Sequence, residues 1–164
     1  MLLDLVLYPD NRLNLYSEDV PEDDITKDGV KELALNMIET MKFHKGIGLS
    51  APQIGKNLRM VVIDTSEHQP HLKHKCPIIM INPNIAYEDK GLIGTMSEGC
   101  LSFPNVFHMV RRSHKIIVSY KNLKGDSCID LFTGITAVCV QHEIDHLDGI
   151  TMDKRSEHEL KPTD

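Results

Sequence analysis

The stretch Gln141-His142-Glu143-Ile144-Asp145-His146 limits what this chain can become more than any other. Residues i and i+4 of an α-helix differ by about 40° in azimuth and about 6 Å in height, so both histidines can reach one metal ion. Glu143 then stands beside the ion without ligating it, free to handle protons. Ile135, Val138, Cys139, Ile144 and Leu147 fit a helix with its inner side against a core, and Asp148-Gly149 supplies a stop signal. The same short pattern also occurs by accident on surface helices, so the rest of the chain decides between the two readings.

The 164 residues suit one domain, long enough to bury roughly two-thirds of its unfolded surface. With no Trp and 5% aromatic residues, the core must be aliphatic, built from Ile, Val, Leu and Met. A formal charge of −6, from 18 basic and 24 acidic residues, argues against nucleic-acid binding by broad phosphate neutralisation. No run approaches the length of a membrane helix, and Met1-Leu2-Leu3-Asp4-Leu5 has no basic region before its apolar residues. The expectation is a chain without targeting signal or membrane partner. Cys76, Cys100, Cys128 and Cys139 are too sparse for a disulfide framework and suit reduced thiols in a cytosol.

Val30, Leu33, Ala34, Met37, Ile38 and Met41 share one face at helical spacing and predict a core helix over 27–44, with Thr26 as its N-cap. It ends in Gly46-Ile47-Gly48-Leu49-Ser50-Ala51-Pro52-Gln53-Ile54-Gly55, where three glycines and a proline imply irregular backbone or close approach to a neighbour. The β-branched runs 59–65 and 78–82 read as strands, as do 110–112 and 116–120. Lys124-Gly125-Asp126 tips a hairpin from 116–120 to 128–131. Asn82-Pro83-Asn84 marks a turn, 91–94 a flexible piece, and Thr133 the cap of the His-Glu helix. His68, His71, His74 and Cys76 look like a rival metal site, but Pro70 breaks any helix that would align them, which leaves an exposed loop. One α+β domain accounts for this order.

A catalytic zinc-type site takes three protein ligands and leaves a fourth position for water. Downstream of Gly149, Asp153, Glu157, His158 and Glu159 lie too close and are too few to form a supporting helix. Cys128 falls in the hairpin, and Cys139 is flanked by apolar residues. Cys100, in Glu98-Gly99-Cys100-Leu101-Ser102, has no evident disulfide partner and a glycine that lets the backbone pass close. The ligand set is therefore Cys100, His142 and His146.

The Gly46 to Gln53 stretch, Glu98-Gly99-Cys100-Leu101-Ser102 and Gln141 to His146 resemble, in order, the three motifs of the peptide deformylases. Leu7-Tyr8-Pro9-Asp10 through Arg12-Leu13 is similar too, and the resemblance spans residues 5–149. It implies antiparallel β-sheets packed around a central helix carrying the HExxH motif, as a catalytic domain over 1–149 with a short polar tail over 150–164. The implied reaction hydrolyses the N-formyl group from the initiator methionine of nascent peptides. Glu143 would move the protons, and the Gln53 amide and Leu101 N–H would meet the developing oxyanion. Gly46, Ile47, Gly48, Gly99, Val138 and His142 would border the substrate. Glu98 and Arg112 match a buried ion pair, against a solvated Arg112 as the alternative. Asp145 is either an orienter of the site or an exposed helix carboxylate.

One divalent ion per chain is expected. A Cys-His-His set with water suits zinc by geometry, whereas the resemblance implies Fe²⁺ as the physiological ion, with Zn²⁺, Ni²⁺ or Co²⁺ able to substitute. The expected setting is the cytoplasm of a bacterial or virus-infected bacterial cell, with formyl-Met peptides as partners and a monomer acting alone. Three departures stand out. Ser50 replaces a usual alanine, a change too small to matter. Phe107 replaces a residue that is often basic. Only fifteen residues follow Gly149, where bacterial members usually continue into a long helix that docks on the ribosome, so the expectation is an active core enzyme whose ribosome docking is weak or differently arranged. The rival readings are a zinc endopeptidase and a non-catalytic metal- or peptide-binding module.

Overall fold

Strand alternation at residues 60–63 sets the architecture. Val61 and Ile63 point to one side, Met60 and Val62 to the other, and all four are fully buried. A sheet buried on both faces needs a cover on each. The computed structural model describes residues 1–160, with side chains through 157, and it supplies two helical covers.

The strands are β1 (Gly48–Ser50), β2 (Met60–Ile63), β3 (Ile78–Glu88), β4 (Ile93–Cys100), β5 (Phe103–Ser113), β6 (Lys115–Lys121), β7 (Ser127–Thr133) and β8 (Ser156–Leu160). They form two antiparallel sheets, β1-β2-β3-β6-β7 and β4-β5-β8. Helix α1 (Asp28–Phe43) buries Ala34, Met37 and Met41 on the Met60 and Val62 face. Helix α2 (Gly134–Leu147) buries Ala137, Val140, Ile144 and Leu147 on the opposite face, against Val61, Ile63, Met80, Ile116 and Val118. Each such aliphatic side chain contributes roughly 1.5–3 kcal/mol on burial. Every residue of α2 from Thr136 to Leu147 is buried, so the HExxH helix is the centre of the molecule.

The end of α2 is fixed twice. Gly149 adopts φ +72, where a side chain would run into the Asn14 carbonyl oxygen. Buried Arg59 donates to the Leu147 carbonyl at 3.0 Å and to Asp148 at 2.8 Å, placing a cation at the helix C-terminus.

Several sequence expectations shift. The α1 N-cap is Lys27 rather than Thr26, and neither it nor Thr133 at α2 makes a side-chain cap bond. Asn82-Pro83-Asn84 is no turn. Asn82 takes φ +52 and its amide clasps the Val20 backbone, so the chain bulges and β3 continues. The 91–94 piece gives way to β4 from Ile93, and β5 starts at Phe103 rather than Val110, because each strand completes the other's backbone hydrogen bonds. Within the short polar tail expected over 150–164, residues 152–160 form a helical turn, α3 (Met152–Arg155), and β8, which adds to the open edge of β5; 161–164 lie outside the described residues. Among the described residues, no helix is long and apolar enough to cross a membrane.

Candidate active site

The last residue of β4 and two turns of α2 meet beside β1. Cys100, His142 and His146 each offer one ligand atom, and these atoms lie within 4.8 Å of one another. Cys100 Sγ is 3.3 Å from His146 Nε2, and the two imidazoles cross at 74° with centroids 5.0 Å apart. Among the described residues, this is the group that brings three such donors together. His68, His71 and His74 stay exposed around a helical turn at Pro70–Leu72 and form no such group.

The donor set fits a divalent ion. One thiol and two imidazoles suit zinc and the neighbouring transition metals, and three ligands leave a position open to the cavity. Charge agrees. Burial works against a positive His142, yet Cys100, Glu98 and Glu143 outweigh it and raise its pKa well above the usual value. The Glu98 carboxylate on Nδ1 favours a cation on the far side of the ring, whether proton or metal. Burial, together with the positive His142 and Arg112, pushes His146 well below the usual value and favours the neutral ring, with one nitrogen lone pair free.

Glu143 projects into the same cavity, a cleft of about 970 Å³. Its Oε1 is buried and, among the described residues, has no hydrogen-bond partner. Burial pushes its pKa up to about 7, with the Glu98 and Asp145 charges adding and His142 opposing. Gly46, Ile47, Gly48, Gly99, Val138, His142 and Leu101 all line this cavity, as does Phe107. The glycines are demanded by protein neighbours. A Cβ on Gly48 would stand 2.8 Å from Glu143 Oε2 and 2.7 Å from Cys139 Sγ, and one on Gly46 would meet Leu101 Cδ1 at 2.8 Å. Cys139 is thus core and cavity wall together, with its thiol facing the Ile47 carbonyl at 3.6 Å.

Gln53 sits in a 3₁₀ turn, Ala51–Ile54, that follows β1. Its Oε1 accepts the Ser50 N–H and the Ser50 hydroxyl, both at 2.9 Å. The Nε2 is thereby turned to the site, 3.1 Å from Ser102 Oγ and 3.4 Å from Cys100 Sγ. The Ser50 hydroxyl, which the sequence comparison with alanine makes look expendable, is one of the two donors that orient this amide. The signal was the Ser-x-x-Gln spacing of a capping box.

Glu98 and Arg112 form a buried two-pronged pair at 2.6 and 3.1 Å, and Arg112 also reaches Asp145 at 2.8 Å. Glu98 Oε1 accepts the His142 Nδ1 hydrogen at 2.9 Å. Burial would raise the Glu98 carboxyl, but its bonds from His142 and Arg112 prevail and hold it below the usual value. Asp145 is mostly buried, not an exposed helix carboxylate.

The comparisons agree on kinship. A family model described as polypeptide deformylase matches residues 2–161. A peptide deformylase of Alkalilimnicola ehrlichii is 40% identical over 148 residues, covering 90% of this chain and 78% of its own. The crystal structure of the Thermotoga maritima peptide deformylase superposes with a TM-score of 0.86 at 32% identity, over 96% of this chain and 99% of that one. A Met-Ala-Ser-bound peptide deformylase from Acinetobacter baumannii gives 0.85 at 28% identity, over 94% and 98%.

Proposed function

The chain belongs to the polypeptide deformylase family, and from that premise we propose how its own residues do the work. The reaction is hydrolysis of the N-formyl group on an N-terminal formylmethionine. Water adds to the formyl carbon, the C–N bond breaks, and formate and a free amine leave.

Cys100, His142 and His146 would hold one divalent ion, Fe²⁺ as the physiological one, with Zn²⁺, Ni²⁺ or Co²⁺ able to substitute. When bound, such an ion polarises the formyl carbonyl and lowers the pKa of water towards neutrality. Glu143 Oε1, unpartnered in the cavity, takes the proton of the attacking water and returns one to the departing nitrogen. The Gln53 amide N–H and the Leu101 backbone N–H stabilise the negative charge that develops on the carbonyl oxygen. Ile47, Gly99, Val138 and His142 border the methionine side chain, while the backbone of Gly46 and Gly48, lining the same cavity, runs beside the extended peptide. Glu98, braced by Arg112, fixes the His142 ring. All these groups come from one chain, so a monomer suffices. The substrate, a newly made formylated end, puts the work in a bacterial cytoplasm.

One observation carries this reading: three ligand atoms lie within 4.8 Å of one another, and two of their residues, Cys100 and His142, line the cavity that also holds a buried Glu143 oxygen with no hydrogen-bond partner among the described residues. The test compares formate release from formyl-Met-Ala-Ser by metal-loaded parent and Glu143→Ala. The variant should keep its metal and lose at least about 10²-fold in kcat. A variant as fast as the parent would remove Glu143 from the proton path.

A further inference from the structure

Arg155 sits where α3 turns into β8. Its Nη2 is 3.1 Å from Asp145 Oδ1 and its Nε 3.3 Å from Asp145 Oδ2. The second oxygen also takes Arg112 Nη1 at 2.8 Å. Arg112 in turn grips Glu98, and Glu98 Oε1 holds His142 Nδ1. A continuous line of hydrogen-bonded charges therefore runs from the C-terminal segment to a ligand imidazole. Two guanidiniums face two carboxylates along it. β8 brings Arg155 into place by pairing Ser156 with Val110, two residues before Arg112 on β5.

The Arg155 side chain is 49% exposed, so its ion pair contributes little stability of its own. Asp145, at 12%, is different. Among the described residues, only Arg155 donates to Asp145 Oδ1. Without it, a mostly buried oxygen lacks a partner, and the carboxylate gains by turning towards water. That turn would pull Asp145 Oδ2 from Arg112 and loosen the support of Glu98.

We infer that Arg155 is a positioning residue: its fork on Asp145 sets, through Arg112 and Glu98, how firmly His142 is held for the metal. The inference rests on the ligand set proposed above and is independent of which bond the enzyme cuts. The direct partner of a ligand histidine typically matters 10–100-fold for metal affinity. Arg155 acts from farther out, so a smaller effect, roughly 3–10-fold, is expected.

The experiment follows release of Zn²⁺ from the loaded protein into excess chelator for the parent, Arg155→Met, Arg155→Lys and Arg111→Met. Arg111 is the control. Its side chain faces Glu157 of β8 at 3.7 Å and, among the described residues, makes no hydrogen bond or ion pair to Asp145, Glu98 or His142, so its loss weakens the hold on β8 without removing a bond of the line. Arg155→Met should release zinc roughly 3–10-fold faster, Arg155→Lys at an intermediate rate because charge stays while the fork is lost, and Arg111→Met at the parent rate. Should Arg155→Met not fold, Arg155→Lys alone decides against the parent. Parent-like release from the Arg155 variants, or equal acceleration by Arg111→Met, would overturn the inference. Formate release by the parent is read on the same preparation. Its absence, with the zinc pattern intact, would remove the formyl-hydrolase reading and support the Arg155 assignment.

Discussion

Glu98 Oε1 lies 2.9 Å from His142 Nδ1, and this one contact decides which nitrogen of the ring faces the metal site. With Nδ1–H donated to a carboxylate, the lone pair is left on Nε2. Glu98→Ala removes that acceptor and leaves buried Arg112, among the described residues, with Asp145 alone as a close anionic partner. Breaking a buried pair costs about 3–5 kcal/mol, and the remaining partner places the expected loss near about 3 kcal/mol. Urea unfolding reads that loss, and chelator competition should show metal binding weakened about 10–100-fold.

Gly48 carries no side chain because Glu143 and Cys139 occupy the space. Gly48→Ala must displace one of them, and Glu143 Oε2 is the end of the more flexible chain. A misplacement of about 1 Å in a catalytic group costs on the order of 10²-fold in rate. The expected result is a kcat lower by about that factor at unchanged metal content. A variant with parent kcat would show that Cys139 yields instead.

Ser50 supplies both donors that hold Gln53 Oε1, its hydroxyl and its backbone N–H. Gln53→Ala should cost on the order of 10²–10³ in kcat as a lost oxyanion donor. Ser50→Ala keeps the backbone donor, so the amide is loosened rather than freed. The expectation is a severalfold loss in kcat with KM unchanged, and a steady-state comparison of the two variants checks the ranking.

Much of this site was legible because its chemistry lies in side chains at fixed helical spacing. His142, Glu143 and His146 follow from one i, i+4 repeat, and Cys100 from elimination among four cysteines. The two covering helices followed from period. Pairing did not. β4, β8 and the early part of β5 hold few β-branched residues, and their strands exist because neighbours complete their backbone bonds. The same cause hid Arg155, whose partner lies ten residues back in sequence and is reached only once β8 docks. Arg59 looked like the start of a strand, yet its guanidinium caps α2 from another element.

Asp130 gives a pH signature away from the site. Burial would raise its carboxyl, but the Lys75 ammonium at 2.6 Å and the Tyr120 hydroxyl prevail and hold its pKa below the usual value. A depressed folded-state pKa stabilises the fold above the unfolded value of about 3.9 and loses that contribution as pH falls through the folded value. Asp130→Asn should therefore melt lower than the parent near neutrality, with the gap closing below about pH 4. Melting curves across that range check it, and a gap that widens in acid would contradict the assignment.

By this mechanism the centre cuts a formyl amide and spares peptide bonds. The most direct measurement is the product balance when formyl-Met-Ala-Ser is incubated with the metal-loaded chain. One formate and one intact Met-Ala-Ser per substrate consumed is the predicted result. Cleavage between Met and Ala, or no turnover with Fe²⁺, Zn²⁺, Ni²⁺ or Co²⁺, would contradict it.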